Sequence, residues 1–117
     1  MAVKVVPKDE MVNAVGTTYP PSEWILVDQD RINTFADCTE DHQFIHVDKE
    51  KAAKTPFGTT VAHGFLTLSL LSKMVDNNGV IPESLVMGLN YGFDKVRFLA
   101  PVKSGKRVRA HVSVASV

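Results

Sequence analysis

Residues 60–75 restrict the fold of this chain more than any other stretch. Placed on a helix, Val61, Phe65, Leu68 and Leu71 form one apolar stripe, and Ala62, Leu66, Leu70 and Met74 form a second. The polar residues between them, Thr67, Ser69 and Ser72, are small. A helix that is apolar on nearly every side must be surrounded by protein rather than lie on a surface. Its richest run, residues 65–71, is far short of the ~20 apolar residues that a membrane span needs. The helix therefore calls for a covering layer.

The sequence supplies strands for that layer. Leu85, Met87, Leu89, Tyr91 and Phe93 are apolar at alternate positions, the period of a half-buried strand. The phase then slips to Val96 and Phe98, which predicts a bulge or bend near Asp94, with Gly88 and Gly92 favouring a strongly bent strand. After a turn at residues 101–105, Val108, Ala110, Val112 and Val114 alternate with Arg107, Arg109, His111 and Ser113 in another strand. Residues 24–27 read as a short buried strand. Helices are expected at residues 9–15, between Pro7 and Gly16, and after Asp28, carrying Ile32, Phe35 and Ala36. A short one follows Asp48 and stops at residues 55–58, and turn residues 76–79 end the apolar helix. The expected fold class is α+β, a single domain of 117 residues in which a curved antiparallel sheet packs around one helix at about residues 60–75. The last strand runs to Val117 without a closing turn, and the visible strands are few for covering a buried helix. The expectation is a chain that lacks final strands or is completed by a partner subunit.

Lys+Arg 13 against Asp+Glu 13 gives a formal net charge of 0, so bulk attraction to nucleic acid or an anionic membrane is not expected. The balance hides an asymmetry, because Lys95, Arg97, Lys103, Lys106, Arg107 and Arg109 close the chain with no acid among them. That is either a solvated strand face or a cationic rim for a phosphorylated small molecule. Cys38 is the sole cysteine, so packing alone must hold the fold, and a reducing compartment is the natural reading. The first residues lack the apolar run of a signal peptide, and the expected location is cytoplasmic.

Chemistry-bearing residues concentrate between 37 and 48, where Asp37, Glu40, Asp41 and Asp48 accompany His42 and His46. Asp41 and His46 are spaced so that both side chains can turn toward one site. His63 and Gly64 open the apolar helix, whose first N–H groups have no intrahelical partner and lie at the positive end of its dipole. A glycine there lets a substrate carbonyl approach the backbone. Plainer readings stand beside these. Asp41 also reads as a loop cap, His46 as a satisfied half-buried histidine, Gly64 as a close-packing residue and His63 as a loop-fixing one. His111 reads as surface, and Cys38 has no histidine at a diagnostic spacing for nucleophilic catalysis. A metal site from Asp37, Asp41, His42 and His46 has no ligand pattern behind it.

The stretch Phe35-Ala36-Asp37-Cys38-Thr39-Glu40-Asp41-His42-Gln43-Phe44-Ile45-His46-Val47-Asp48 resembles the hydratase motif of the MaoC-like dehydratase family, the (R)-specific enoyl-CoA hydratases. Residues 56–71, with Ala62-His63-Gly64, are similar to the family's second block, and residues 89–92 and 95–102 to the strand that follows. The likeness runs from about Trp24 to Gly105 and is greatest to the branch named for nodulation protein N. It implies a hot-dog fold, a homodimer or higher homo-oligomer, and a domain that continues through further strands. It also implies that Asp41 and His46 activate one water for addition to C3 of a trans-2-enoyl-CoA, with a proton delivered to C2. Gly64 would polarise the thioester carbonyl through its backbone N–H. Gln43, standing where many members carry Asn, and His63 would support the pair, and Lys95 and Arg97 would contact coenzyme A phosphates. No metal or other cofactor is implied, since coenzyme A arrives with the acyl-CoA substrate. A thioesterase is disfavoured by the lack of a carboxylate on the apolar helix before Asp76, and a non-catalytic acyl-CoA-binding module by the joint presence of Asp41, His46 and Gly64.

Overall fold

The computed structural model describes residues 3–76 and 78–117. In chain order its elements are β1 (Lys4–Val6), a 3-10 helix (Lys8–Ala14), β2 (Ile25–Val27), α1 (Gln29–Thr39), α2 (Phe44–Val47), α3 (Lys49–Ala53), α4 (Gly64–Ser69), α5 (Leu71–Met74), β3 (Val80–Pro82) and β4 (Lys106–Val108). They fall into two compact units, one of Trp24–Leu71 with Arg97–Val108 and the other of Met1–Glu23, Ser72–Val96 and Arg109–Val117.

In the first of these units β2 pairs antiparallel with β4, Ile25 opposite Val108 and Val27 opposite Lys106. Val27 points inward and forms a buried cluster with Ile32, Ala62 and Leu66, against which Phe35, Leu70, Val102 and Val108 pack. Asp28 caps α1 by accepting the Arg31 N–H at 2.9 Å, which satisfies one of the orphan donors of the first turn. Ile32 and Ala36, one turn apart, are the buried face of α1. The helix ends at Glu40, whose φ of 62° is left-handed and turns the chain sharply into the loop that carries Asp41. Asp48 then caps α3 by accepting the Lys51 N–H at 3.1 Å.

The helix expected over residues 60–75 is shorter and broken. Residues 60–62 are extended because their backbone groups are taken laterally: Val61 N–H donates to the Ile45 carbonyl (3.0 Å), Ala62 N–H to that of Val102 (2.8 Å), and Ser104 N–H to that of Thr60 (3.0 Å). Helix begins only at Gly64 and breaks at Leu70. Ser69 Oγ donates to the Phe65 carbonyl at 2.6 Å, a back-bond of the kind that bends helices. The helix is also not apolar-enclosed on all sides, since Leu66 is buried while Phe65 is 68% exposed.

In the other unit β1 and β3 pair in parallel, Lys4 opposite Val80. The closing segment is extended as its alternation predicts, with Gly16 N–H bonded to the Val114 carbonyl (2.8 Å), Tyr19 N–H to that of Val112 (2.9 Å) and Ser22 N–H to that of Ala110 (2.9 Å). The strand predicted across residues 85–93 does not form. Leu85, Met87, Leu89, Tyr91 and Phe93 are all exposed and enter no ladder among the described residues. Alternation becomes a strand only where a neighbouring strand and a facing layer receive it, and here neither does. Of the turn expected at residues 76–79, Asn77 lies outside the described residues, as do Met1 and Ala2 of the chain start. No helix among the described residues is long and apolar enough to cross a membrane.

Candidate active site

The left-handed residue Glu40 ends α1 and delivers Asp41 to a short loop, whose Oδ1 accepts the Gln43 N–H at 3.3 Å. The single turn of α2 follows and places His46 in the interior, 7% exposed. His46 Nδ1 lies 2.7 Å from the Val61 carbonyl, an acceptor only, so Nδ1 carries the proton and Nε2 presents its lone pair. His63, 3% exposed, stacks on His46 with ring centroids 3.8 Å apart and planes at 23°. Its Nε2–H donates to the Asp41 carbonyl at 2.9 Å and lies 4.0 Å from Asp41 Oδ2. His63 Nδ1 is buried without a hydrogen-bond partner among the described residues, and the Phe35 ring sits 4.9 Å from that imidazole.

Asp41, His46 and His63 thus bring one ligand atom each within 4.8 Å of one another. Tetrahedral zinc, with bonds of 2.0–2.1 Å, needs donors about 3.3 Å apart. The 4.0 Å pair is wider than that, and its Nε2 proton already serves the Asp41 carbonyl. Two groups that share one water at about 2.8 Å each stand roughly 4.5 Å apart. The donor set therefore suits a shared water better than a metal ion.

Gly64 opens α4 immediately after His63, and no hydrogen bond to its N–H occurs among the described residues. A Cβ built on Gly64 would stand 3.1 Å from the Phe98 ring, which is itself edge-on to Phe65 with centroids 5.9 Å apart. Gln43 acts through its backbone, its carbonyl accepting the His46 N–H at 2.9 Å, while its amide makes no hydrogen bond among the described residues. The supporting role expected of that amide is taken by main chain. His42 pairs with Asp37 at 2.9 Å on the surface. Cys38 and His111 are exposed. Arg97 is exposed on the unit that carries Asp41, whereas Lys95, also exposed, belongs to the other unit. A groove of about 430 Å³ runs along α1 between Arg31, Thr34, Phe35, Cys38 and Leu66. Phe35 is what it shares with the histidine pair.

Two residues that the sequence marks for no role are bonded around His46. Thr60, fully buried, donates its hydroxyl to Gln29 Oε1 at 2.5 Å, and Gln29 Nε2 donates to the His46 carbonyl at 2.8 Å. Gln29 follows an N-cap and Thr60 precedes a histidine–glycine pair, positions whose local sequence says nothing of contact across 31 residues.

A carboxylate close to an imidazole whose Nδ1 is bonded, ahead of a helix start whose first N–H has no partner among the described residues, is an arrangement capable of acid–base chemistry. The chain belongs to the MaoC-like dehydratase family, whose domain profile matches residues 10–117. It is 55% identical over 101 residues to nodulation protein N of Rhizobium leguminosarum bv. viciae, covering 86% of this chain and 63% of that protein. It is 46% identical over 108 residues to the 3-hydroxyacyl-thioester dehydratase Z of Mycobacterium tuberculosis, with 92% of this chain and 71% of that protein covered. Its fold is the hot-dog fold of the (R)-hydratases. That of Pseudomonas aeruginosa superposes with a TM-score of 0.66 at 24% identity, covering 85% of this chain and 59% of that one, a likeness of fold alone. The chain thus spans 63% of the length of the first of these relatives.

Proposed function

We propose that the site hydrates trans-2-enoyl-CoA reversibly to (R)-3-hydroxyacyl-CoA, with Asp41 and His46 holding the water. The observation that carries this reading is the tautomer of His46, whose Nδ1–H is bonded to the Val61 carbonyl, close to the half-exposed carboxylate of Asp41. The water donates one O–H to Asp41 and the other to His46 Nε2. As its oxygen attacks C3, His46 takes the proton and delivers it to C2 on the same face. One O–H bond of the water and the C2–C3 π bond break while C3–O and C2–H bonds form, so the water's oxygen and both of its hydrogens end in the product and His46 is again neutral. Gly64 N–H, at the start of α4, stabilises the enolate-like oxygen, a contribution typically worth ~3 kcal/mol of barrier. His63 supports the pair by bonding the Asp41 carbonyl and stacking on His46. Arg97 meets the coenzyme A phosphates, no metal or redox cofactor takes part, and the working protein is a homodimer or higher homo-oligomer in the cytoplasm. The naming of one relative as a 3-hydroxyacyl-thioester dehydratase supports the substrate class.

The test follows loss of the enoyl-thioester absorbance with crotonyl-CoA. Asp41→Asn and His46→Ala are each expected to lower kcat by ~10²-fold or more. Unchanged rates in both would remove the roles given to them. Release of free thiol without hydration would replace this reading with hydrolysis, and chiral analysis of the product tests the (R) assignment.

A further inference from the structure

We infer that Gln29 and Thr60 form a buried clamp that sets the position of His46, and that both are positioning residues for its chemistry. This rests on the hydratase reading above and extends it to residues that touch no substrate.

The argument begins with how little α2 can do for itself. A helix of four residues satisfies almost none of its own carbonyls, so the His46 C=O needs an external donor. Gln29 Nε2 supplies it at 2.8 Å and also donates to Asn33 Oδ1 at 2.8 Å, which uses both of its N–H bonds. Its Oε1 accepts the Thr60 hydroxyl at 2.5 Å, so the amide is held at both its nitrogen and its oxygen. Thr60 is fully buried and adjoins Val61, whose carbonyl receives His46 Nδ1–H and whose N–H bonds the Ile45 carbonyl. The clamp therefore ties the first turn of α1, the single turn of α2 and the extended segment before α4 at one point. His46 is gripped by its main chain on one side and by its ring on the other, through neighbours joined to each other by Gln29. Withdrawing the amide frees the main-chain grip and loosens the segment that sets the ring tautomer.

Hydration of crotonyl-CoA by the intact protein tests this. Because small misplacements of reacting groups cost large factors, Gln29→Ala and Thr60→Val are each expected to lower kcat about ten-fold with KM within about two-fold. Thr60→Ser retains the hydroxyl and restores kcat. Gln29→Glu keeps an acceptor for Thr60 but loses the donor to His46, so it behaves as Gln29→Ala does. The Gln29→Ala/Thr60→Val double variant is no slower than either single one, as expected for residues that act as a unit. Imidazole 15N shifts in the folded variants give a readout independent of turnover, with His46 losing its single Nδ1–H tautomer. A Gln29→Ala protein of lowered melting temperature but full kcat and an unchanged tautomer would make the clamp merely structural and overturn the inference. If His46→Ala is inactive while Gln29→Ala runs at full speed, the clamp alone fails. If His46→Ala keeps its activity, the hydratase reading fails with it.

Discussion

At the scale of single residues, the site is built by subtracting freedom. His46 cannot rotate its ring because Val61 holds Nδ1, and cannot tilt because His63 lies on its face. Gly64 shows the same economy of space from the other direction. Phe98 occupies the volume that a Cβ would enter at 3.1 Å, so a methyl group there must push the ring aside by a few tenths of an ångström. Gly64→Ala is expected to cost about 1 kcal/mol, at the low end for overpacking because Phe98 is half exposed and can yield. Urea denaturation checks this, and the cost should vanish when Phe98→Ala is made in the same chain. Asp41 and His46 stand out as candidates in the sequence because a carboxylate and an imidazole can do chemistry, and Gly64 because it opens the apolar helix. Gln29 and Thr60 do not, because an amide and a hydroxyl acquire meaning only from the carbonyl or oxygen that the fold brings to them.

At the scale of elements, the helices were legible where capping chemistry writes their ends into local sequence. Asp28 and Asp48 each precede a helix and each accepts the N–H three residues on. Their worth differs with what they hold. The eleven-residue α1 buries Ile32 and Ala36, while the five-residue α3 buries Ala52. Asp28→Ala should therefore destabilise the protein by about 1 kcal/mol in chemical denaturation, and Asp48→Ala by less. Equal effects would mean that the caps act independently of the packing behind them. The strands and the apolar helix were less legible, for one shared reason. Periodicity reports which side chains avoid water, and says nothing of where backbone groups bond. Residues 60–62 continue the helical stripe yet bond sideways to Ile45, Val102 and Ser104, and residues 85–93 alternate without a ladder.

At the scale of the whole chain, the site and its supports belong to a single unit. Gln29, Asp41, His46, Thr60, His63 and Gly64 all lie within Trp24–Leu71, and the cluster of Val27, Ile32, Ala62 and Leu66 is the core of that unit. Ile32 has no exposed surface, and Ile32→Ala leaves a cavity that neighbouring helix and strand cannot close, so a loss of about 2–5 kcal/mol is expected. Leu89, in the other unit, is 83% exposed, and Leu89→Ser should change stability by no more than about 0.5 kcal/mol. Measured by urea denaturation, the two values should differ severalfold. Ile32 also separates stability from chemistry, since its side chain carries no polar group and packs in the apolar cluster with Val27, Ala62 and Leu66. Enoyl-CoA hydration by Ile32→Ala should fall only as the folded fraction falls, and recover in a stabilising osmolyte. A kcat that stays low in the fully folded variant would mean that the core sets the geometry of Asp41 and His46 directly, rather than only holding together the segments that carry them.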